Sequence, residues 1–385
     1  MRGSAGRRAA LAALVCALAL AGCTAGPPAP RHVVTATSST PPVSGWTEIA
    51  PPASGARVLA MTTTGRTLLA FGSVPHGSAR APAAWTTSDL THWTRLRTHA
   101  VTGYGEVAQF IMGTDAAGRV VAYGQAYGGA HSNPRPTTWA GDLRRLNEHE
   151  QPYTLFGGED AIGVTAMTSS ARRTLISGAW DGPHGYGAAV WLTQDGVRWM
   201  RIADAAGLAS DPGEQTFASG ATSTVEGFLL SGSTMRGART SPLIWRSADG
   251  VRWSRTPLSS TTDAQARAAA CAEDGCVVIG STVSSAQRLE CWRTDPSGAQ
   301  TAASEGPGHG LIDVTQVVLT TDRALVVGSI DHEATLWSVG VDCTGWSAVP
   351  MPAKTEDAAA AAFDGHIVLA TTTPQASRLW VRAAR

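Results

Sequence analysis

The side chains best equipped for chemistry in this chain are histidines, carboxylates and aromatics gathered in a few polar segments. His76 stands in one, Tyr127 and His131 in a second, Trp180, Asp181, His184 and Tyr186 in a third, and Asp331, His332 and Glu333 in a fourth. Other polar segments carry His99, Tyr104 and Glu106, then His149, Glu150 and Tyr153, then Asp211 and Glu214, and His309. Imidazoles beside carboxylates can hold a ligand or move protons near neutral pH. A tryptophan on a rigid loop can stack on a sugar or anchor a protein. No nucleophile motif, metal-ligand spacing or phosphate-binding glycine loop accompanies these groups. The residues therefore predict a non-catalytic binding or scaffolding module for a protein or glycan ligand, with His76, Tyr127, His131, Trp180, Asp181, His184, Asp331 and His332 as contacts. No cofactor and no metal are expected. The alternative is an extracellular glycoside hydrolase or lyase working through loop carboxylates such as Asp181, Glu214 or Asp331. That chemistry needs two carboxyl groups roughly 5 to 9.5 Å apart.

Such groups need elements to hold them, and composition limits the choice. The 385 residues carry 30 basic and 30 acidic side chains with no basic block, which argues against nucleic acid as a partner. An apolar share of 43% is too high for a disordered chain. The 42 glycines, and 13 tryptophans against 5 tyrosines and 6 phenylalanines, point to many short strands and tight turns.

A repeat supplies the architecture. Short apolar runs closing on a small residue recur at Leu68–Gly72, Val120–Gly124, Leu175–Gly178, Phe228–Gly232, Val277–Gly280, Leu325–Gly328 and Ile367–Ala370. Turn-like pairs such as Thr64-Gly65, Asp274-Gly275 and Asp364-Gly365 precede them and read as tight hairpins. Each run is followed by a tryptophan: Trp85, Trp139, Trp191, Trp245, Trp292, Trp337 and Trp380, at intervals of 43 to 54 residues. This period fits propeller blades. The prediction is an all-β, seven-bladed β-propeller of four-stranded antiparallel blades over residues 46–385. A second tryptophan, at Trp93, Trp199, Trp253 and Trp346, is assigned to the fourth strand. The last copy ends five residues after Trp380 and lacks a fourth strand, whereas Gly45-Trp46-Thr47-Glu48-Ile49-Ala50 resembles one. The N-terminal strand is therefore expected to pair with the last blade and close the ring, removing an open sheet edge. Twelve tryptophans are absorbed by this scheme. Trp180, expected in a loop, is not.

Between the paired tryptophans, Ser247-Ala248-Asp249-Gly250-Val251-Arg252-Trp253 forms a distinctive turn, with echoes at Gln194–Trp199 and Ser88–Trp93. It resembles the Asp-box turn of sialidase-like propellers. The resemblance implies a structural role for the aspartates, on the face away from the active site. The Arg-Ile-Pro motif and Tyr/Glu pair of a sialidase site are not found, so sialidase activity is not expected.

Four cysteines remain beyond residue 23, and two disulfides are expected for an exported domain. Cys271 and Cys276 flank one hairpin turn and form the first pairing; Cys291 with Cys343 follows by elimination, although four cysteines allow three connectivities.

Residues 1–22 combine Arg2, Arg7 and Arg8 with an apolar run from Ala9 to Ala21, the pattern of an export signal. The sequence Leu20-Ala21-Gly22-Cys23 resembles the lipobox of bacterial lipoproteins. That resemblance implies lipidation of Cys23 and attachment to the outer face of the bacterial cytoplasmic membrane. Residues 23–45, rich in Pro, Ser and Thr, read as a disordered tether. A monomer is expected.

Overall fold

Glycine and tryptophan sit at fixed places in each repeat because two close approaches require them. In every blade the second strand pairs with the third so that the repeat tryptophan faces a small or aliphatic residue: Ala70 with Trp85, Ala122 with Trp139, Ile176 with Trp191, Leu230 with Trp245, Val278 with Trp292, Val326 with Trp337 and Leu369 with Trp380. All seven rings are buried. Two residues beyond this partner, six blades carry glycine. A Cβ on Gly232 would lie 1.9 Å from the Phe217 carbonyl oxygen and 2.8 Å from Trp245 Cζ3. Comparable clashes await a Cβ at Gly72, Gly178, Gly280 and Gly328. Beside each of the six glycines the first strand carries a β-bulge. In the seventh blade the equivalent residue is Thr371, and the first strand pairs without a bulge from Asp357 to Phe363. Glycine and bulge therefore occur together. The missing side chain lets the bulged inner strand press its carbonyl against the second strand.

A computed structural model describes residues 45–127 and 134–384. The expected export signal, Cys23 and nearly all of the tether lie outside them, as does His131. The described chain forms seven sheets in sequence order, antiparallel but for one added strand, as a seven-bladed β-propeller must. The inner strands are Arg57–Thr64, Gln109–Ala116, Ala161–Ser169, Gln215–Ser223, Ala264–Ala272, Ile312–Leu319 and Asp357–Phe363. The ring closes as expected. Thr47–Ile49 pairs antiparallel with Ser377–Ala383 as the outer strand of the seventh blade. Trp46 is buried there and donates to the Pro350 carbonyl at 2.9 Å, and Glu48 takes both Nε and Nη2 of Arg378.

Two details depart from expectation. The second tryptophans do not lie in the fourth strands. Trp93, Trp199, Trp253, Trp346 and Trp46 each occupy the residue immediately before one. The second blade has a fifth strand: Arg97–His99, which leads out of the first blade, pairs in parallel with Arg145–His149.

Both disulfides form as paired from the sequence. Cys271 and Cys276 are register partners across the hairpin of the fifth blade, with Cα atoms 4.0 Å apart. Cys291 and Cys343, 52 residues apart, tie the fifth blade to the sixth. A closed loop of that length restricts the unfolded chain by about 4 kcal/mol in the chain-entropy account.

Candidate functional site at the channel mouth

Antiparallel blades sort their connections onto two ends. Hairpins between first and second strands, and between third and fourth, share one end; hairpins between second and third strands share the other with the connections between blades. At the first end the aspartate turns are closed by their own side chains. Asp249 Oδ1 accepts from the Val251 and Arg252 N–H groups, both at 2.9 Å, and the Ser247 hydroxyl accepts from the Gly250 N–H at 2.8 Å. Asp195 with Thr193, and Asp89 with Thr87, repeat the pattern. Gly196 and Gly250 hold positive φ values of 75° and 72°, whereas Leu90 takes 62° without the freedom of glycine. The Arg252 N–H lowers the Asp249 pKa most, burial opposes it, and the Val251 N–H adds; the carboxyl stays well below the usual range. These aspartates are occupied with the backbone.

The opposite end opens into a cavity of about 790 Å³ at the mouth of the central channel. Its wall is built by inner-strand residues. Arg57, Gln109 and Asp313 line it, each fifteen positions before its blade's glycine (57 and 72, 109 and 124, 313 and 328), the same residues whose carbonyls approach those glycines. The bulged pairing thus positions the rim. Glu356, Asp357, Tyr127 and His332 complete it. A second cavity of about 420 Å³ adjoins, sharing Arg57, His332, Glu356 and Asp357 and adding Asp331 and Lys354.

Much of this wall is preorganised. Arg57 Nη1 donates to Gln109 Oε1 at 2.8 Å, and Ser73 Oγ donates to the same oxygen at 3.0 Å. Arg80 donates from Nε to Ser73 Oγ at 2.8 Å and from Nη2 to the Gly55 carbonyl at 2.6 Å. Burial, and then the nearby Arg57 charge, lower the Arg80 pKa. The buried Arg57 Nε has no partner among the described residues. Asp313 is paired with Arg267. Lys354, the chain's single lysine, pairs with Glu333 at 2.8 Å, a hydrogen bond that raises its pKa. Asp331 and His332 both turn with positive φ, 49° and 68°, in the tight hairpin between Arg323–Ile330 and Glu333–Gly340. That turn fixes where His332 stands.

Of the residues named from the sequence, Tyr127, Asp331, His332 and Glu333 line these two cavities. His76, Asp181 and His184 lie at the same end on other blades but line neither cavity. Trp180 is a correction. The strand Thr174–Gly182 extends through it, and the ring is 7% exposed. Arg201 covers it at 3.5 Å from the ring centroid and Trp191 meets it edge-on at 6.3 Å. It packs between the second and third blades and offers no free face. Arg57, Gln109, Asp313, Glu356 and Asp357 stand at or beside inner-strand starts rather than in the loops where the histidines and aromatics cluster, so they carry no motif of their own in the sequence. The constant interval to the repeat glycine was the available signal for three of them.

A ring of seven four-stranded antiparallel blades, the second extended by one parallel strand, closed by its N-terminal strand defines the class: the chain is a seven-bladed β-propeller. No family profile and no curated protein sequence matches the chain. Solved structures share the fold. One of two prolyl endopeptidases studied for inter-domain dynamics is 11% identical with a TM-score of 0.52, over 85% of this chain and 50% of that one. Prolyl oligopeptidase B from Galerina marginata is 10% identical with a TM-score of 0.50, over 82% and 46%. A Trypanosoma rangeli sialidase in complex with the inhibitor DANA is 10% identical with a TM-score of 0.44, over 85% and 54%. The chain spans about half the length of these proteins.

Proposed function

We propose that the protein is an exported lipoprotein, lipidated at Cys23 and held at the outer face of the bacterial cytoplasmic membrane, whose propeller binds a protein or glycan without catalysing a reaction. The cavity of about 790 Å³ at the channel mouth carries this reading, because several of its rim groups are already held by hydrogen bonds or ion pairs. Gln109 is shared by Arg57 and Ser73, Asp313 is held by Arg267, and the Tyr127 hydroxyl donates to Gln125. A fixed polar rim around a concave site suits binding, since little ordering is left to be done when the ligand arrives. The described chain begins at Gly45, beside Arg382 at the aspartate-turn end. The Ser/Thr-x-Asp turns agree with the resemblance to Asp-box propellers and carry structure only.

A glycoside hydrolase is the second reading, and one observation favours it. Glu356 and Asp357 line the same cavity, and neither is ion-paired among the described residues.

The single lysine makes a direct test possible. Envelope extract and a glycan library are offered to the full chain, and acylation of Lys354 is followed by mass spectrometry. Retained ligand is expected to protect Lys354, and Arg57→Gln or His332→Ala to release it. Unchanged retention by both variants overturns the mouth as the site. Cleavage of a retained glycan that stops in Glu356→Gln or Asp357→Asn establishes the hydrolase instead.

A further inference from the structure

Tyrosine is distributed unlike the other aromatics of this protein. Of its 5 tyrosines, Tyr104, Tyr127, Tyr153 and Tyr186 are exposed, at 48%, 58%, 60% and 47%, while no phenylalanine or tryptophan is. All four lie at the mouth end of the second and third blades or the connections between blades leading into them. The blades do not need them, because tryptophan and phenylalanine fill the repeating core positions.

Two of the four flank a separate cleft of about 210 Å³, away from the channel mouth. Both are rigidly carried. Tyr104 lies in the helical turn Gly103–Glu106, which the buried Glu148 carboxylate anchors by accepting from the Val101 N–H at 2.7 Å, the Thr102 N–H at 2.9 Å and the Thr102 hydroxyl at 2.6 Å. Tyr153 opens the turn Tyr153–Phe156. There Arg201 donates to the Thr154 carbonyl at 2.6 Å, Trp191 Nε1 donates to the Leu155 carbonyl at 2.6 Å, and Phe156 stacks on Trp191. Between the tyrosines stands Arg135, its guanidinium 5.9 Å from the Tyr104 ring centre and 5.7 Å from that of Tyr153. The Glu148 carboxylate is consumed by the loop it anchors, and Arg135 has no ion-pair partner among the described residues.

We propose that this cleft binds an acidic saccharide, with a sugar carboxylate on Arg135 and a sugar ring against Tyr104 or Tyr153. Exposed tyrosines on pinned turns offer flat apolar faces at low ordering cost. An arginine presents two parallel donors that match a carboxylate. The cleft is smaller than the roughly 300 Å³ at which sites for drug-sized ligands begin, so it takes one sugar unit of a chain rather than an enclosed ligand.

The test titrates the full chain with an oligogalacturonide, with its carboxyl-reduced neutral counterpart, and with a polyaspartate peptide of equal charge. The acidic saccharide is expected to bind, and the neutral one to bind about tenfold more weakly or worse. Arg135→Gln and Tyr153→Ala are each expected to weaken the acidic saccharide by about tenfold, with Tyr153→Phe close to wild type. Arg57→Gln, at the channel mouth, leaves this binding unchanged, which separates it from ligand capture there. Melting temperatures accompany every variant. Binding by Arg135→Gln equal to wild type, equal affinity for polyaspartate, or no retention of the acidic saccharide overturns the proposal.

Discussion

Asp249 shows what the polar residues of the turns are for. Its carboxylate is held ionised mainly by the Arg252 N–H, with the Val251 N–H, the Arg252 side chain and the Ser247 hydroxyl adding and burial opposing. A folded-state pKa below the unfolded value of about 3.9 means that the ionised turn stabilises the fold above that pH. The contribution is lost as pH falls through the folded value. Melting followed from pH 7 to pH 2 is expected to show the gap between wild type and Asp249→Asn closing below about pH 4. A constant gap across that range would assign the aspartate no such role. The chemistry of this turn was readable from Ser247-Ala248-Asp249-Gly250, since the partners of the Asp249 carboxylate lie within five residues. The burial of Trp180 was not, because Arg201 and Trp191 reach it from other strands.

Within a blade, the pairing of glycine with bulge decides how closely the inner strand approaches. Gly232→Ala would place a methyl group 1.9 Å from the Phe217 carbonyl and against Trp245. Overpacking of this kind costs about 1–3 kcal/mol. Urea unfolding is expected to report a loss in that range for Gly232→Ala and less than about 0.5 kcal/mol for Gly103→Ala, whose added Cβ meets nothing within 4 Å and whose backbone is not left-handed. Equal losses would remove the close approach as the reason for the repeat glycine. The repeat itself was visible in the chain. The bulges were not, because a bulge is a relation between two strands, and residues 57 and 72 meet only after pairing.

Closure belongs to the ring as a whole. Trp46 is buried against the last blade, and Glu48 and Arg378 join residues 330 positions apart. Trp46→Ala is expected to lower stability by about 3–5 kcal/mol, the range for truncating a buried aromatic. It is also expected to expose Ser377–Ala383 to hydrogen exchange ahead of the other blades. Protection of that strand equal to its six counterparts would show that the ring holds without its N-terminal clasp.

Blade count, blade order, the closing strand and the Cys271–Cys276 pairing followed from residue types at fixed spacing, because each is a periodic or short-range property of the chain; the fifth strand of the second blade did not. The composition of the mouth, the covering of Trp180 and the Tyr104–Arg135–Tyr153 cleft arose from folding. Each brings residues of different strands or blades within a few ångströms, and the physical cause is the ring: it curls seven local sheets around one axis, so side chains far apart in the chain meet at one end.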